Sequence, residues 1–252
     1  MGRKPPRPHP NRHTTLPTKG PPIPAQPLPN DTALSARKHV RYGSALLIAL
    51  FPVALATYYC IGHMDIAVAE FVRRYLYASE GWRHITLSIP DALLIVVVSI
   101  TACSYSLFRY RASHYGIDAS AVMYKMLAVT APVSYIVKSF LKYAFGRINT
   151  REWLYAPQEY GFHWFSGAVR YSGFPSGHML VVTAIVAVVW RFHPRYRPAC
   201  LGLLMVLALA MIATNYHFVS DVIAGAYVGL VVEAYTCRVV GRKYRFLPMV
   251  NG

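Results

Sequence analysis

The stretch Phe174-Pro175-Ser176-Gly177-His178 runs straight into an apolar tract, MLVVTAIVAVVW at 179–190. Pro175 and Ser176 are helix-start residues, and a Ser at the N-cap followed by Gly leaves backbone N–H groups projecting from the helix end. Gly177 adds no side chain, so an anion can approach that backbone closely. His178 then sets a titratable group beside a ready oxyanion cradle. The plain alternative is an ordinary helix cap with a chance histidine, and the rest of the chain has to separate the two.

Working outward, the same apolar character recurs in runs rather than as scattered core positions. In 252 residues, 55% are hydrophobic and mean hydropathy is positive. Several nearly uncharged stretches approach the ~20 residues that cross a bilayer as helix. Six spans are expected, at about 44–62, 89–108, 119–145, 176–192, 199–216 and 219–240. Between the first two, 64–77 carries Ile66, Ala67, Val68, Phe71, Val72 and Leu76 on one side, with Arg73 and Arg74 opposite. That pattern predicts an amphipathic helix lying at the interface. The fold class is therefore all-α, a six-span transmembrane bundle.

Residues 1–40 hold ten prolines and almost no large apolar side chains. They are expected to form a disordered, Pro-rich basic arm, ahead of a membrane domain at 41–245 and a short tail at 246–252. The arm lacks the apolar core of a signal peptide. The net charge of +16 is carried mostly by residues flanking the apolar runs, which fits topology and anionic headgroups rather than a nucleic-acid partner. The arm, Arg109 with Arg111, the Arg191/Arg195/Arg197 turn and the 238–245 tail all fall on one side of six spans. By the positive-inside rule that side is the cytoplasm, with both termini inside. Cys60, Cys103, Cys200 and Cys237 show no paired spacing and are read as structural, without a disulfide framework or metal site.

Three separate stretches then place unusual polar groups at one depth. Lys142 and Arg147 end the third span, Ser176 to His178 begin the fourth, and His217 and Asp221 join the fifth to the sixth. Ionisable residues near a bilayer core are costly and point to function. His217 and Asp221, four apart, share a helical face, and a carboxylate on one ring N–H makes the other nitrogen a better nucleophile. Lys142, Arg147 and the N–H groups around Ser176 and Gly177 are expected to hold phosphate oxygens. His178 is placed to protonate the leaving oxygen. One acid beside two histidines makes no metal cage, so no cofactor is expected. The aromatic loop 146–173 suits a membrane-interface belt, with a headgroup-gripping floor as its alternative.

Phe-Pro-Ser-Gly-His at 174–178, His217-x3-Asp221 continuing into Val222-Ile223-Ala224-Gly225, and Lys142-Tyr-Ala-Phe-Gly-Arg147 resemble the three motifs of the type 2 phosphatidic acid phosphatase superfamily. The resemblance covers about 142–225. It implies His217 as nucleophile, Asp221 as its orienter, His178 as acid, and Lys142, Ser176 and Gly177 as phosphate ligands. It further implies metal-independent hydrolysis of a membrane lipid phosphate or diphosphate at the external face, in a bacterial inner membrane, through a phosphohistidine. Two family positions depart: the Arg-Pro after the Lys is Asn149-Thr150, and the Arg six before the His is Met211. Asn149 can donate to phosphate but brings no charge, while Arg151 and Arg170 are near enough in sequence to substitute. A phosphotransferase with the same intermediate, or a non-catalytic relative that binds lipid phosphate, are the alternatives. The sequence leaves the lipid and the oligomeric state open.

Overall fold

A computed structural model describes the backbone of residues 29–76 and 89–244 (with Gly2), and side chains over 42–76 and 92–242. Apart from Gly2, the chain before 29 and the tail 246–252 lie outside the described residues. Eight α-helices are described: α1 Pro29–Tyr59, α2 Asp65–Leu76, α3 Ile89–His114, α4 Ala119–Phe145, α5 Thr150–Trp153, α6 Gly177–Phe192, α7 Arg197–Ala213 and α8 Val219–Tyr244. No strand occurs among the described residues, as expected of an all-α chain.

α4, α6 and α8 form the centre, with α3 laid against α4, α7 against α6 and α1 against α8. α6 is apolar all round, and its Leu180, Val181, Ala184 and Val188 are all fully buried. That is what an uninterrupted apolar run requires of a helix. α6 and α8 approach closely because α8 carries Gly225 and Gly229 one turn apart. A Cβ at 229 would stand 2.5 Å from the Leu180 carbonyl oxygen, so this small-residue stripe lets the backbones meet. In contrast, α1, α3 and α7 turn Leu47, Phe51, Ile95, Val98, Val206 and Leu209 outward. Such faces suit lipid rather than water.

Five helices are long and apolar enough to cross a membrane: 42–76, 92–114, 119–145, 194–213 and 219–242. The expected fourth span, Gly177–Phe192, is helical but shorter, at 16 residues. Two other expectations change. α1 begins at Pro29, so 29–40 is helical rather than part of an arm. The helix expected over 64–77 forms as α2, Asp65–Leu76, but it is not set apart from the first span. A π-helical turn at Cys60–Met64 joins α1 directly to α2, giving one continuous apolar helical segment over 42–76. α2 turns Asp65, Ala69 and Val72 inward, each buried, against α7 and α8.

Local chemistry sets the ends that matter. Asp118 caps α4 by accepting from Ala121 N–H at 2.7 Å, and Arg111 of α3 holds the same carboxylate at 2.7 Å. At the other end Gly146 takes a left-handed conformation (φ 56°) and donates to the Lys142 carbonyl at 3.0 Å. Only glycine fits there, because a Cβ would strike the His163 carbonyl. The chain turns at once into the 146–173 loop, whose Trp153 and Ile148 are buried against Phe218 and Ala69. The expected aromatic belt thus splits. Trp153 packs inward, while Tyr155, Trp164 and Phe165 face out. All four cysteines are free.

Candidate functional site

The N-terminus of α6 is where the singled-out residues meet. Ser176 is the N-cap, its Oγ accepting from Met179 N–H at 3.4 Å, and its own N–H donates to the Asp221 carbonyl of α8 at 3.0 Å. The first turn of α6 is thereby fastened to the first turn of α8. Gly177 has no room for a side chain: a Cβ would lie 2.8 Å from Lys138 Cδ and 3.2 Å from Lys142 Cε. Glycine here lets two lysine stems from α4 lie across the amide end of α6. Lys138 also sets its Nζ 3.9 Å from the Tyr135 ring centre.

His217 is buried in the short link between α7 and α8, with its Nδ1 3.4 Å from Asp221 Oδ2. The same oxygen accepts from Phe218 N–H at 3.0 Å, which fixes the carboxylate relative to the link. Burial lowers the imidazole below its ordinary range. Asp221 and the Gly173 backbone oppose that shift, and Lys142 adds to it. His178 comes in from α6. The Tyr216 ring makes an edge contact with each imidazole, 5.5 Å from the His178 centre and 5.1 Å from the His217 centre. Lys142, Ser176, Gly177, His178, His217 and Asp221 are therefore contributed by α4, the start of α6 and the α7–α8 junction.

Arg147 is placed differently from the expected phosphate ligand. It is fully buried. Its Nη1 donates to Asp221 Oδ1 and Ser220 Oγ, both at 2.6 Å. Its Nη2 donates to Asp65 Oδ2 at 2.7 Å and to the Tyr160 hydroxyl at 2.8 Å. The rings of Tyr160, Phe162 and Phe218 surround the guanidinium at 4.6–5.4 Å. Burial alone would lower its pKa, but Asp221, Tyr160 and Asp65 raise it on balance, so the group stays cationic. With both terminal nitrogens bound to protein, Arg147 grips Asp221 rather than a ligand. Asn149 is also occupied. Its Nδ2 donates to the Val169 carbonyl at 3.0 Å within the loop.

Met211, standing where the resembling family carries Arg, is buried and takes the Ser176 hydroxyl on its Sδ at 3.2 Å. Of the two candidate substitutes, Arg170 pairs with Glu159 at 2.9 Å on the loop surface. Arg151 instead lies over the Tyr216 ring, 4.9 Å from its centre, and that ring touches both histidines. His163 stacks on Tyr171 at 4.0 Å, within the loop. The participant missed by sequence reading is Asp65 of α2. Its signal was the inward spacing of Asp65, Ala69 and Val72, which an interfacial reading of that stretch passes over. Among the described residues, no three His, Cys, Asp or Glu side chains come together as metal ligands.

This arrangement can deliver an imidazole, held by a carboxylate, to an anion seated on lysine and helix-end amides. Comparison with known proteins points the same way. Residues 122–245 match the PAP2 superfamily. A lipid A 1-phosphatase of Rhizobium etli is 34% identical over 106 residues, covering 41% of this chain and 44% of that protein. A lipid A 1-phosphatase of Rhizobium johnstonii is 33% identical over 119 residues, 46% of this chain and 47% of that protein. The chain thus spans less than half the length of these curated relatives. No solved structure matches it significantly.

Proposed function

We propose that this chain, whose residues 122–245 belong to the PAP2 superfamily, hydrolyses a membrane lipid phosphate by transferring the phosphoryl group to His217. The observation that carries this reading is His217, buried beside Asp221 and joined through Tyr216 to His178. The opposite wall is the Lys142–Gly177 cradle.

In the first step, neutral His217 Nε2 attacks phosphorus while Asp221 holds the Nδ1 proton. The P–O bond to the lipid breaks, and His178 gives its proton to the departing oxygen. Lys142 and the first-turn amides of α6 hold the three equatorial oxygens, where charge must be met in the transition state. In the second step His178 takes a proton from water. The hydroxide displaces His217 from phosphorus, releasing phosphate and restoring the imidazole. If a lipid hydroxyl replaces water, the same intermediate gives phosphotransfer.

Six spans with both termini cytoplasmic put the α6 N-terminus on the periplasmic side, in line with the basic flanks of the apolar runs. At 16 residues, α6 is ~24 Å long against a ~30 Å hydrocarbon core. A helix that short ends before the outer interface, so the cradle opens just below the lipid headgroups. The names of the two relatives make a lipid A phosphate the first substrate to try. Purified protein in detergent, with EDTA present, should release phosphate from lipid A or phosphatidate, and His217→Ala should abolish it. Release unchanged in His217→Ala would rule out this nucleophile.

One observation favours a second reading, a relative that binds without turnover. Ser176 spends its hydroxyl on Met211, and Asn149, which stands in place of the family's Arg, spends its amide on the loop, so two expected phosphate donors are diverted. That reading requires saturable lipid-phosphate binding with no phosphate released by the wild-type protein.

A further inference from the structure

The π-helical turn at Cys60–Met64 sets the rotation of α2 about its axis. Asp65 N–H reaches back to the Cys60 carbonyl, and the Ile61 carbonyl accepts instead from the Tyr160 hydroxyl at 2.8 Å. π-turns inserted in α-helices recur at functional sites. This one turns Asp65 into the protein, where its carboxylate is completely enclosed. Asp65 Oδ1 accepts from Ser220 N–H at 3.0 Å, and Oδ2 accepts from Ser220 Oγ and from Arg147 Nη2. One turn further along α2, the Ala69 carbonyl accepts from Asn215 Nδ2 at 3.1 Å. Asn215 lies two residues before His217 and holds a left-handed conformation (φ 47°). α2 therefore grips the α7–α8 link on both sides of His217.

We propose that Asp65 is a positioning residue for His217, acting through Arg147 and Ser220; this rests on the hydrolytic reading above. One guanidinium is shared between two carboxylates, so the buried cluster keeps one net negative charge. With Asp221 as its only partner, Arg147 would neutralise it, and His217 would face little anionic charge. By taking Nη2, Asp65 leaves Asp221 anionic toward the imidazole, where positive charge grows as phosphorus is attacked. Low local dielectric makes that difference count. The groups acting on His217 are Asp221 on α8, Lys142 on α4 and the Gly173 backbone, with the Tyr216 ring against the imidazole and His178 of α6 against that same ring; Arg147 reaches it through Asp221. Tyr160 and Asp65 lie behind Arg147. Asp65 belongs to α2, outside the matched segment 122–245.

The test compares full-length wild type, Asp65→Asn and Asp65→Glu in detergent, with two readouts. The first is the His217 imidazole titration by NMR on histidine-labelled protein, assigned with His217→Gln. The second is kcat and KM for phosphatidate micelles. Asp65→Asn removes a negative charge that favours imidazolium, so the His217 titration should move to lower pH. Its kcat should fall on the order of ten- to a hundredfold, the range seen for groups that orient metal-bound histidines from one shell out, with KM little changed. Asp65→Glu should keep the titration while losing part of kcat. A purely structural role would reduce the yield of folded protein and leave the titration in place. Asp65→Asn with wild-type titration and kcat overturns the proposal. If Asp65→Asn does not fold, Asp65→Glu with wild-type kcat overturns it equally. The titration needs no turnover, so a wild type that releases no phosphate counts against the hydrolytic reading, and the NMR result still decides Asp65.

Discussion

His217 must be neutral at Nε2 to attack phosphorus, and its surroundings act on that in opposite directions. Burial is the largest influence and lowers the imidazole, Lys142 adds to the lowering, and Asp221 and the Gly173 backbone resist it. The net direction is down, so neutral imidazole persists below the ordinary value of ~6.5. The acid limb of kcat/KM should accordingly lie below that value, measured with a substrate whose phosphate ionisation is titrated separately. A limb above it would mean that Asp221 outweighs burial. The same shift contributes stability that is present above the unfolded imidazole value and lost as pH falls toward the folded one. Arg147 shows where residue-level reading stops. A basic residue five after Lys142 is as good a phosphate ligand on paper as an ion-pair partner. Only the fold reveals that Asp65, more than eighty positions earlier, has already claimed it. Breaking a buried ion pair by removing one partner typically costs ~3–5 kcal/mol. An Arg147 variant breaks two such pairs at once, with Asp65 and with Asp221, whereas Asp65→Asn breaks one and keeps the Arg147–Asp221 contact, which makes Asp65 the better handle.

At the scale of elements, the cradle depends on how closely α6 and α8 pack. Gly225 faces the start of α6, and a Cβ there would stand 2.6 Å from the Ser176 carbonyl oxygen. That atom is backbone and cannot swing aside. Gly225→Ala should push the N-terminus of α6 off α8, stretching the Ser176–Asp221 bond. The expected cost is ~1–3 kcal/mol of stability, the usual range for overpacking, with a larger loss of kcat than of substrate affinity. Thermal unfolding followed by helicity, together with kcat and KM, checks both. An alanine variant with wild-type kcat would show that the α6–α8 spacing does not set the cradle. The motif Phe174 to His178 was legible because capping, close approach and apolar periodicity all agree within one short stretch. α2 was not. Its exposed side mixes Ile66, Phe71 and Leu76 with basic residues, as an interfacial helix would, and nothing local marks the π-turn that makes it continuous with α1.

Across the whole molecule, one helical layer is packed and another is turned outward. α4, α6 and α8 bury their side chains on each other, while α1, α3 and α7 expose theirs. The central helices also place a second buried pair far along the bundle from the cradle. There Arg191 Nε meets Glu233 Oε1 at 2.6 Å, next to Thr236 and Thr130. The all-helical class and the apolar runs were readable because hydropathy needs no tertiary information. Span count was less so, since α6 is apolar enough yet short, and length alone does not say whether a buried helix crosses a bilayer. The gathering of Lys142, His178, His217 and Asp221 came from placing helix ends at a common depth. The diversion of Asn149 and Ser176 to protein partners depends on loop geometry that no spacing encodes.

The phosphoryl-enzyme is the species through which both chemical steps must pass, and it can be trapped. The wild-type protein would be mixed with a lipid phosphate labelled at phosphorus, quenched within a turnover, and digested under alkaline conditions. We expect label on the peptide carrying His217, lost on acid treatment as a phosphoramidate is, and absent from His217→Ala. Turnover without labelled His217, or label that persists in His217→Ala, would contradict nucleophilic attack by this residue.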